Sequence, residues 1–226
     1  MNLANCKLCN RSGLFLSVSK EGLCKTCLVE TKFETSQRAR IINESLDIVQ
    51  KSKNIDTILS RLDTIILHAH PLLRYEEKGI DIFPTLPSQL IKQSRKMKED
   101  SIIKHLMESL ELIQSKHKIS NNLKKTVEEL SKVLLKIQDF KSKVGPYPSL
   151  IEFEEKVNSL LREGQLKIYT DKAQKYEFKG QKKKALDAYY EGLYYLMHDN
   201  IDDAMQSQSI SEIKNKIIEL GGEIIL

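Results

Sequence analysis

Apolar residues recur every three or four positions through most of the chain, which is the spacing of one face of an α-helix. The first such stretch starts at Leu28 and meets no proline or glycine before Pro71. We expect a helix that ends at about Lys53, with Asn54 in a left-handed C-terminal conformation and Asp56 as the N-cap of a second helix. The pattern predicts a mainly α fold.

Two later stretches predict a pair of long helices. One has Ser88 as its N-cap and reaches about His117, and the other covers residues 123–144. Because the turn around residue 121 is short, the two helices should fold back as an antiparallel helical hairpin. The second helix has a coiled-coil-like seam that also allows homodimerisation, made of Leu123, Val127, Leu130 and Leu134.

The sequence Gly145-Pro146-Tyr147-Pro148 interrupts the helical pattern, since two prolines in three residues stop a helix. Ser149 and Glu152 follow it with the spacing of a capping box, which predicts that a new helix starts there. We therefore expect three parts: a four-cysteine zinc-binding module over residues 1–35, a helical hairpin array over residues 36–144, and a C-terminal helical subdomain over residues 149–226.

Four cysteines, the whole set in this chain, stand as two C-x2-C pairs separated by fourteen residues. In a reducing compartment such pairs hold a metal ion rather than disulfide bonds. The spacing predicts one structural zinc ion with four sulfur ligands at ~2.3 Å and no open position for water or substrate. An iron–sulfur cluster is the competing occupant, although bacterial cluster motifs space their cysteines differently. The predicted ligands are Cys6, Cys9, Cys24 and Cys27.

The segment between the two pairs predicts a short β-hairpin, because apolar residues and the β-branched Val18 lie between Gly13 and Gly22. The turn that holds the first cysteine pair is predicted to be a zinc knuckle. Followed by a hairpin and by a helix that starts at the second pair, it resembles the treble-clef type of zinc module over residues 4–35. In that family the four cysteines are the ligands, and the turn after the first pair corresponds to Ser12-Gly13. Because the linker is short, a zinc ribbon with two knuckles is the alternative geometry.

Aromatic and small residues follow the prolines with the spacing of one tetratricopeptide-type (TPR-like) repeat. The chain resembles that family through Tyr169, Ala173, Tyr176, Gly180, Ala185, Tyr189, Gly192 and Leu193. The resemblance implies a helix-turn-helix pair whose helices cross closely at the small residues. Since one repeat cannot bury its own face, we expect a helix through Ile213 and Ile217 to cover it.

The residues alone carry a formal charge of +5, and four thiolates with one zinc ion lower it to about +3. Acidic residues are interspersed with the basic ones, so net charge does not argue for nucleic-acid binding. Local basic residues still leave a nucleic-acid-binding regulator as an alternative function. Its candidate contacts are Lys7, Arg11, Lys25, Lys92, Arg95, Lys96 and Lys98.

Six of the eight tyrosines lie between residues 169 and 195, more than the packing of one helix pair requires. Rigid, amphipathic tyrosines are favoured in protein interfaces. We therefore expect a surface for a partner protein at Tyr190, Tyr194 and Tyr195. Packing of the same rings into the core is the competing interpretation.

Catalytic motifs are missing from the sequence, which has no serine-histidine-acid order, phosphate-binding glycine loop or paired histidine-glutamate helix motif. It also has no signal segment and no run of ~20 apolar residues. We therefore expect a cytoplasmic protein that is not an enzyme and does not enter a membrane. The predicted function is a zinc-binding helical adaptor for protein-protein interaction, and a zinc or redox sensor is a further alternative.

Overall fold

The protein is mainly α-helical and has a small two-stranded antiparallel sheet near its N-terminus, as the sequence predicts. The computed structural model describes residues 4–81, 83–120, 122–199, 201 and 203–224. The strands are β1 (Ala4–Asn5) and β2 (Ser12–Gly13), and the helices are α1 (Lys25–Lys51), α2 (Ile55–Ala69), α3 (Leu73–Glu77), α4 (Pro87–Ser120), α5 (Leu123–Val144), α6 (Pro148–Phe178), α7 (Lys182–Met197) and α8 (Ser207–Glu219).

The chain divides into two compact units, unit 1 over residues 1–105 and unit 2 over residues 106–226, and the division falls within α4. The three-part division of the sequence stays a prediction. Within the described residues, no helix combines the length with the apolar character that crossing a bilayer requires.

The loop between α1 and α2 differs from the sequence prediction in its capping. Helix α1 ends at Lys51, and Asn54 has a φ of −86°, outside the left-handed region. The Asn54 side chain accepts a hydrogen bond from the Thr57 N–H at 2.9 Å, so Asn54 is the N-cap of α2. Asp56 lies instead in the first turn of α2, where its charge suits the positive end of the helix dipole.

Proline decides where two other helices begin. Helix α4 begins at Pro87 and α6 at Pro148, each one residue before the serine that the sequence suggests as the start. The ring fixes φ near its helical value, and the missing N–H group is one that the first turn leaves unpaired anyway. The predicted N-cap roles of Ser88 and Ser149 are therefore wrong, and both serines lie in the first turn.

The core of unit 1 joins the cysteine-containing segment to the helices. Cys6, Cys24 and Cys27 belong to the same buried cluster as Ile42 of α1 and Leu62 of α2. The cluster continues through α3 and the loop after it to the start of α4, with Leu72, Tyr75, Ile80, Leu90 and Ile91. The cysteine pairs are therefore packed as part of a larger hydrophobic core.

In unit 2, consecutive helices pack against each other from α5 to α8. Val127 of the predicted seam lies against α6, where a Cβ added to Gly164 would be 2.9 Å from its Cγ2 atom. This part of the seam is therefore used within the chain. Ile213 and Ile217 of α8 are buried with Tyr189 of α7, so α8 covers the helix pair as expected.

The predicted α4–α5 pair meets at its connected ends. His117 Nδ1 and Thr126 Oγ1 are 3.0 Å apart, and Asn122 caps α5 by accepting from the Lys125 N–H at 3.2 Å. The predicted turn includes Asn121, which lies outside the described residues.

Candidate metal centre and tyrosine groove

The first cysteine pair lies in a tight turn closed by β1 and β2. The strands pair Ala4 with Gly13 and Asn5 with Ser12, and the Asn10 N–H donates to the Cys6 carbonyl at 2.9 Å. Asn10 has a φ of 59°, a left-handed conformation that asparagine tolerates better than most residues. The hairpin thus encloses the first pair, and the prediction that it lies between the two pairs is wrong.

The second cysteine pair lies at the start of α1, as predicted. Cys24 forms an isolated antiparallel bridge with Val18 and occupies the N-cap position of α1. Cys27 is in the first turn of that helix. Because residues 24 and 27 are three apart, the start of the helix presents both side chains to the same side.

The four thiol groups converge on one point. All four Sγ atoms lie within 4.8 Å of one another, and the Sγ atoms of Cys9 and Cys24 are 3.8 Å apart. A tetrahedron with metal–sulfur distances of about 2.3 Å has edges of about 3.8 Å. The cluster therefore has the size and ligand set of a four-sulfur metal site. Cys6, Cys24 and Cys27 are buried, whereas Cys9 is exposed.

Ionisation of the thiols is unequal. Burial raises the pKa of Cys6, but the backbone N–H groups of Cys9, Cys24 and Leu8 outweigh it and lower this pKa to about 6. Burial and the neighbouring thiols raise the pKa of Cys27 to about 12. One thiolate is thus stabilised by the protein itself, whereas closely spaced further thiolates repel each other unless a cation binds between them.

Two lysines attach the first knuckle to the turn after α3. The Lys7 ammonium group donates to the Gly79 carbonyl at 2.7 Å, and Lys78 donates to the Leu8 carbonyl at 2.9 Å. The stem of Lys7 passes Gly22, where an added Cβ would lie only 2.8 Å from its Cδ atom. We call these two reciprocal hydrogen bonds the lysine clasp.

The candidate nucleic-acid contacts do not form one group of available charges. The Lys7 ammonium group is engaged in the lysine clasp. Lys98 is buried, and its ammonium group lies 2.5 Å from Asp63 Oδ1. The candidates with exposed side chains are Arg11, Lys25, Lys92, Arg95 and Lys96.

The three tyrosines predicted to bind a partner line one groove of about 700 Å³ in unit 2. Tyr169 of α6 and His198 line it as well, and we call this surface the tyrosine groove. Tyr194 is 65 % exposed, and its ring stacks on His198 with 3.9 Å between the centroids. Tyr195 is half-buried, and its ring centroid is 6.0 Å from that of Tyr169.

Tyr190 has a structural contact in addition to its place in the groove. Its hydroxyl group donates to the Glu223 carbonyl at 2.7 Å. A Cβ added to Gly222 would lie 2.7 Å from the Tyr190 hydroxyl oxygen. Tyr190 therefore holds the segment after α8 against α7, and Tyr194 is the cleaner probe of the groove.

Sequence reasoning missed the acidic side of the tyrosine groove. Asp187, Glu191 and Asp199 line it together with the tyrosines. The signal was present in the sequence, since Asp187 and Glu191 are four residues apart, as are Tyr190 and Tyr194. Residues at that spacing are neighbours on the same side of a helix.

The chain matches no protein-family model, no curated protein and no solved structure. The functional proposal therefore rests on the cysteine cluster and the tyrosine groove.

Proposed function

We propose that this protein is a non-enzymatic, zinc-binding helical adaptor that binds another protein through unit 2. The observation that carries the proposal is the tyrosine groove, in which the three candidate tyrosines share one open surface. An exposed ring such as Tyr194 adds interface area at a low cost in conformational entropy. The zinc ion has a structural role in unit 1.

The composition of the cysteine cluster supports zinc as its metal. Four thiolates and no other ligand are typical of structural zinc, which takes a tetrahedral set of sulfur atoms. Such a site is closed once it is filled, which leaves no position for a substrate. The burial of Cys6, Cys24 and Cys27 in the core of unit 1 supports a structural role for the metal.

The position of the second cysteine pair favours a treble-clef-like module over a zinc ribbon. Cys24 and Cys27 lie at the start of a 27-residue helix, whereas a ribbon would place them in a second knuckle. The α6–α7 pair supports the TPR-like interpretation, because Gly192 of α7 lies close to Tyr169 of α6, with 3.3 Å from an added Cβ to the Tyr169 Cβ.

Affinity purification of the tagged full-length protein from its native cell tests the adaptor function. The comparison uses a Tyr194→Ala variant, and a Phe178→Ala variant as control, because Phe178 is 94 % exposed and lies on α6 outside the groove lining. We expect one set of partners to be retained by the native protein and by Phe178→Ala, and to be lost with Tyr194→Ala. Native mass spectrometry of the same samples should show one zinc ion per chain.

Two results would contradict the proposal separately. Partners that bind Tyr194→Ala as well as the native protein would exclude the tyrosine groove as the adaptor surface. A chain purified without zinc, and unable to take up one equivalent, would exclude the structural zinc site.

A further inference from the structure

The groove-facing side of α7 combines aromatic rings with negative charge. Tyr190, Tyr194 and His198 follow one another at intervals of four residues, and Asp187 and Glu191 do the same beside them. All five line the tyrosine groove. Since side chains three and four residues apart are neighbours on a helix, rings and carboxylates form two adjacent rows.

The described residues that line the groove include three carboxylates and no lysine or arginine. Glu191 has a partner at the edge, where the Lys172 ammonium group lies 2.7 Å from its Oε2 atom. Asp187 is exposed. With Lys172 counted, the groove keeps an excess of negative charge, which favours a cationic ligand.

The two oxygen atoms of Asp199 differ in their contacts. Its Oδ1 atom accepts from the Gln206 side chain at 2.8 Å and from the Ile201 N–H at 2.9 Å. Its Oδ2 atom is buried and has no partner among the residues that the structure describes. The charge on this buried oxygen is poorly solvated, so it adds to the negative potential of the groove lining.

The negative charge of Asp199 acts on Tyr195, which lines the groove. Burial raises the pKa of Tyr195, the negative charge of Asp199 raises it further, and the positive charge of Arg162 opposes that effect. The aromatic wall thus lies in a partly desolvated site beside a carboxylate, where interactions with a cation are stronger than in open solvent.

Arginine fits these features better than lysine does. A planar guanidinium group stacks on an aromatic ring while its five N–H groups donate to carboxylates that lie at its edge, in the plane of the guanidinium group. One face of the Tyr194 ring stacks on His198 at an interplanar angle of 23°, and because Tyr194 is largely exposed, the other face is available to a ligand. The groove volume of about 700 Å³ accommodates a short peptide segment rather than a single side chain.

We propose that the tyrosine groove binds an arginine-containing segment of the partner protein, with the guanidinium group on Tyr194 and beside the carboxylates of Asp187 and Glu191, while the charge of Asp199 adds to the attraction. The inference rests on the proposed adaptor function and specifies the chemistry of its partner.

Fluorescence anisotropy with labelled peptides tests the inference on the full-length, zinc-loaded protein. The probes are blocked peptides of repeated Gly-Arg-Ser, Gly-Lys-Ser and Gly-Glu-Ser, equal in length and spacing. We expect the arginine peptide to bind most tightly, the lysine peptide several-fold more weakly, and the glutamate peptide not at all. Affinity should fall as salt concentration rises, since charge attraction contributes to binding.

Variants locate the binding site of the arginine peptide. Tyr194→Ala removes the stacking ring and should weaken binding about fivefold or more. Asp187→Asn with Glu191→Gln keeps the side-chain shapes and should weaken it by a similar or larger factor. The matched controls are Phe178→Ala for an exposed ring and Glu152→Gln with Glu155→Gln for exposed carboxylates on α6, and both should bind as the native protein does.

Equal affinity for the arginine and glutamate peptides would overturn the inference. Arginine-peptide binding that the Tyr194 and Asp187/Glu191 variants leave unchanged would overturn it too, because the peptide would then bind elsewhere. If no peptide binds while cellular partners are still lost with Tyr194→Ala, the adaptor function stands and the proposal of an arginine-containing segment is wrong. If neither measurement depends on Tyr194, both proposals fail.

Discussion

Lys7 and Gly79 are 72 positions apart in sequence, yet the Lys7 ammonium group donates a hydrogen bond to the Gly79 carbonyl at 2.7 Å. Lys78 returns the contact by donating to the Leu8 carbonyl at 2.9 Å. Two hydrogen bonds, one donated from each side, thus attach the knuckle that carries Cys6 and Cys9 to the turn that follows α3. A basic residue that suggests nucleic-acid binding in the sequence has an intramolecular role in the fold.

Removal of the lysine clasp should loosen the metal site. We expect Lys7→Met with Lys78→Met to destabilise the knuckle by about 2 kcal/mol, since each exposed, charged hydrogen bond contributes about 1 kcal/mol. Faster zinc transfer to a chromogenic chelator and faster hydrogen exchange over residues 4–27 would report the change. Lys20→Met with Lys25→Met is the control, because both side chains are exposed in the same segment. Equal transfer rates for the two double variants would contradict a role of the clasp.

Substitution of one thiol should abolish tight metal binding. Cys9 is the best position because it is the exposed member of the cluster, so that Cys9→Ser perturbs the core least. Structural zinc contributes roughly 10–16 kcal/mol of apparent binding free energy in small modules. We therefore expect Cys9→Ser to lose stoichiometric zinc in native mass spectra and to lose exchange protection around residues 4–27. Ser17→Ala in the loop between the pairs should keep both, and zinc retained by Cys9→Ser would exclude the four-sulfur site.

Glu34 should make the stability of unit 1 sensitive to acid. Burial raises the pKa of Glu34, but hydrogen bonds from Tyr75 and Arg38 and the charge of Arg74 outweigh it, so that the pKa lies below the ordinary value. The Tyr75 hydroxyl donates to Glu34 Oε2 at 2.5 Å, which joins α1 to α3. Because the folded-state pKa is depressed, this stabilisation is present above the unfolded pKa of about 4.3 and is lost as pH falls through the folded pKa.

Glu34→Gln should cost about 1–2 kcal/mol at pH 7 and less as the pH falls through the folded pKa of Glu34, because the native carboxyl group then becomes neutral too. Urea unfolding of the native protein and the variant across a series of pH values below 7 measures the difference, in which acid-induced metal release common to both cancels. Glu44→Gln is the control, because Glu44 pairs with Arg40 on an exposed surface. A stability difference that does not change with pH would show that ionisation of Glu34 is irrelevant.

Enlargement of residue 192 should disrupt the α6–α7 crossing. Gly192 is buried, and a Cβ at this position would already lie 3.3 Å from the Tyr169 Cβ and 3.6 Å from Ile213 Cδ1. Gly192→Val should therefore cost about 1–3 kcal/mol through overpacking. Thermal unfolding followed by circular dichroism measures this loss. Lys183→Val, at an exposed position of α7, is the control for a valine in this helix without overpacking and should change stability by less than about 0.7 kcal/mol.

Local sequence patterns determined the helical fold class, the four candidate metal ligands and the start of α1 at the second cysteine pair. These features depend on residues that are close in sequence, such as the apolar spacing after Leu28 and the two C-x2-C pairs. Helix ends were less certain, because Asn54 can satisfy either of two local conformations. The prolines at positions 87 and 148 determined their helix starts more strongly than the following serines did.

Only the tertiary structure decided which charged and aromatic side chains are available. Lys98 belongs to a basic sequence but is buried beside Asp63, 35 positions away. Tyr190 and Tyr194 are four residues apart, yet one holds Glu223 and the other remains exposed. Such outcomes depend on which distant segments pack together, and this packing is determined by the hydrophobic core as a whole rather than by the local sequence pattern.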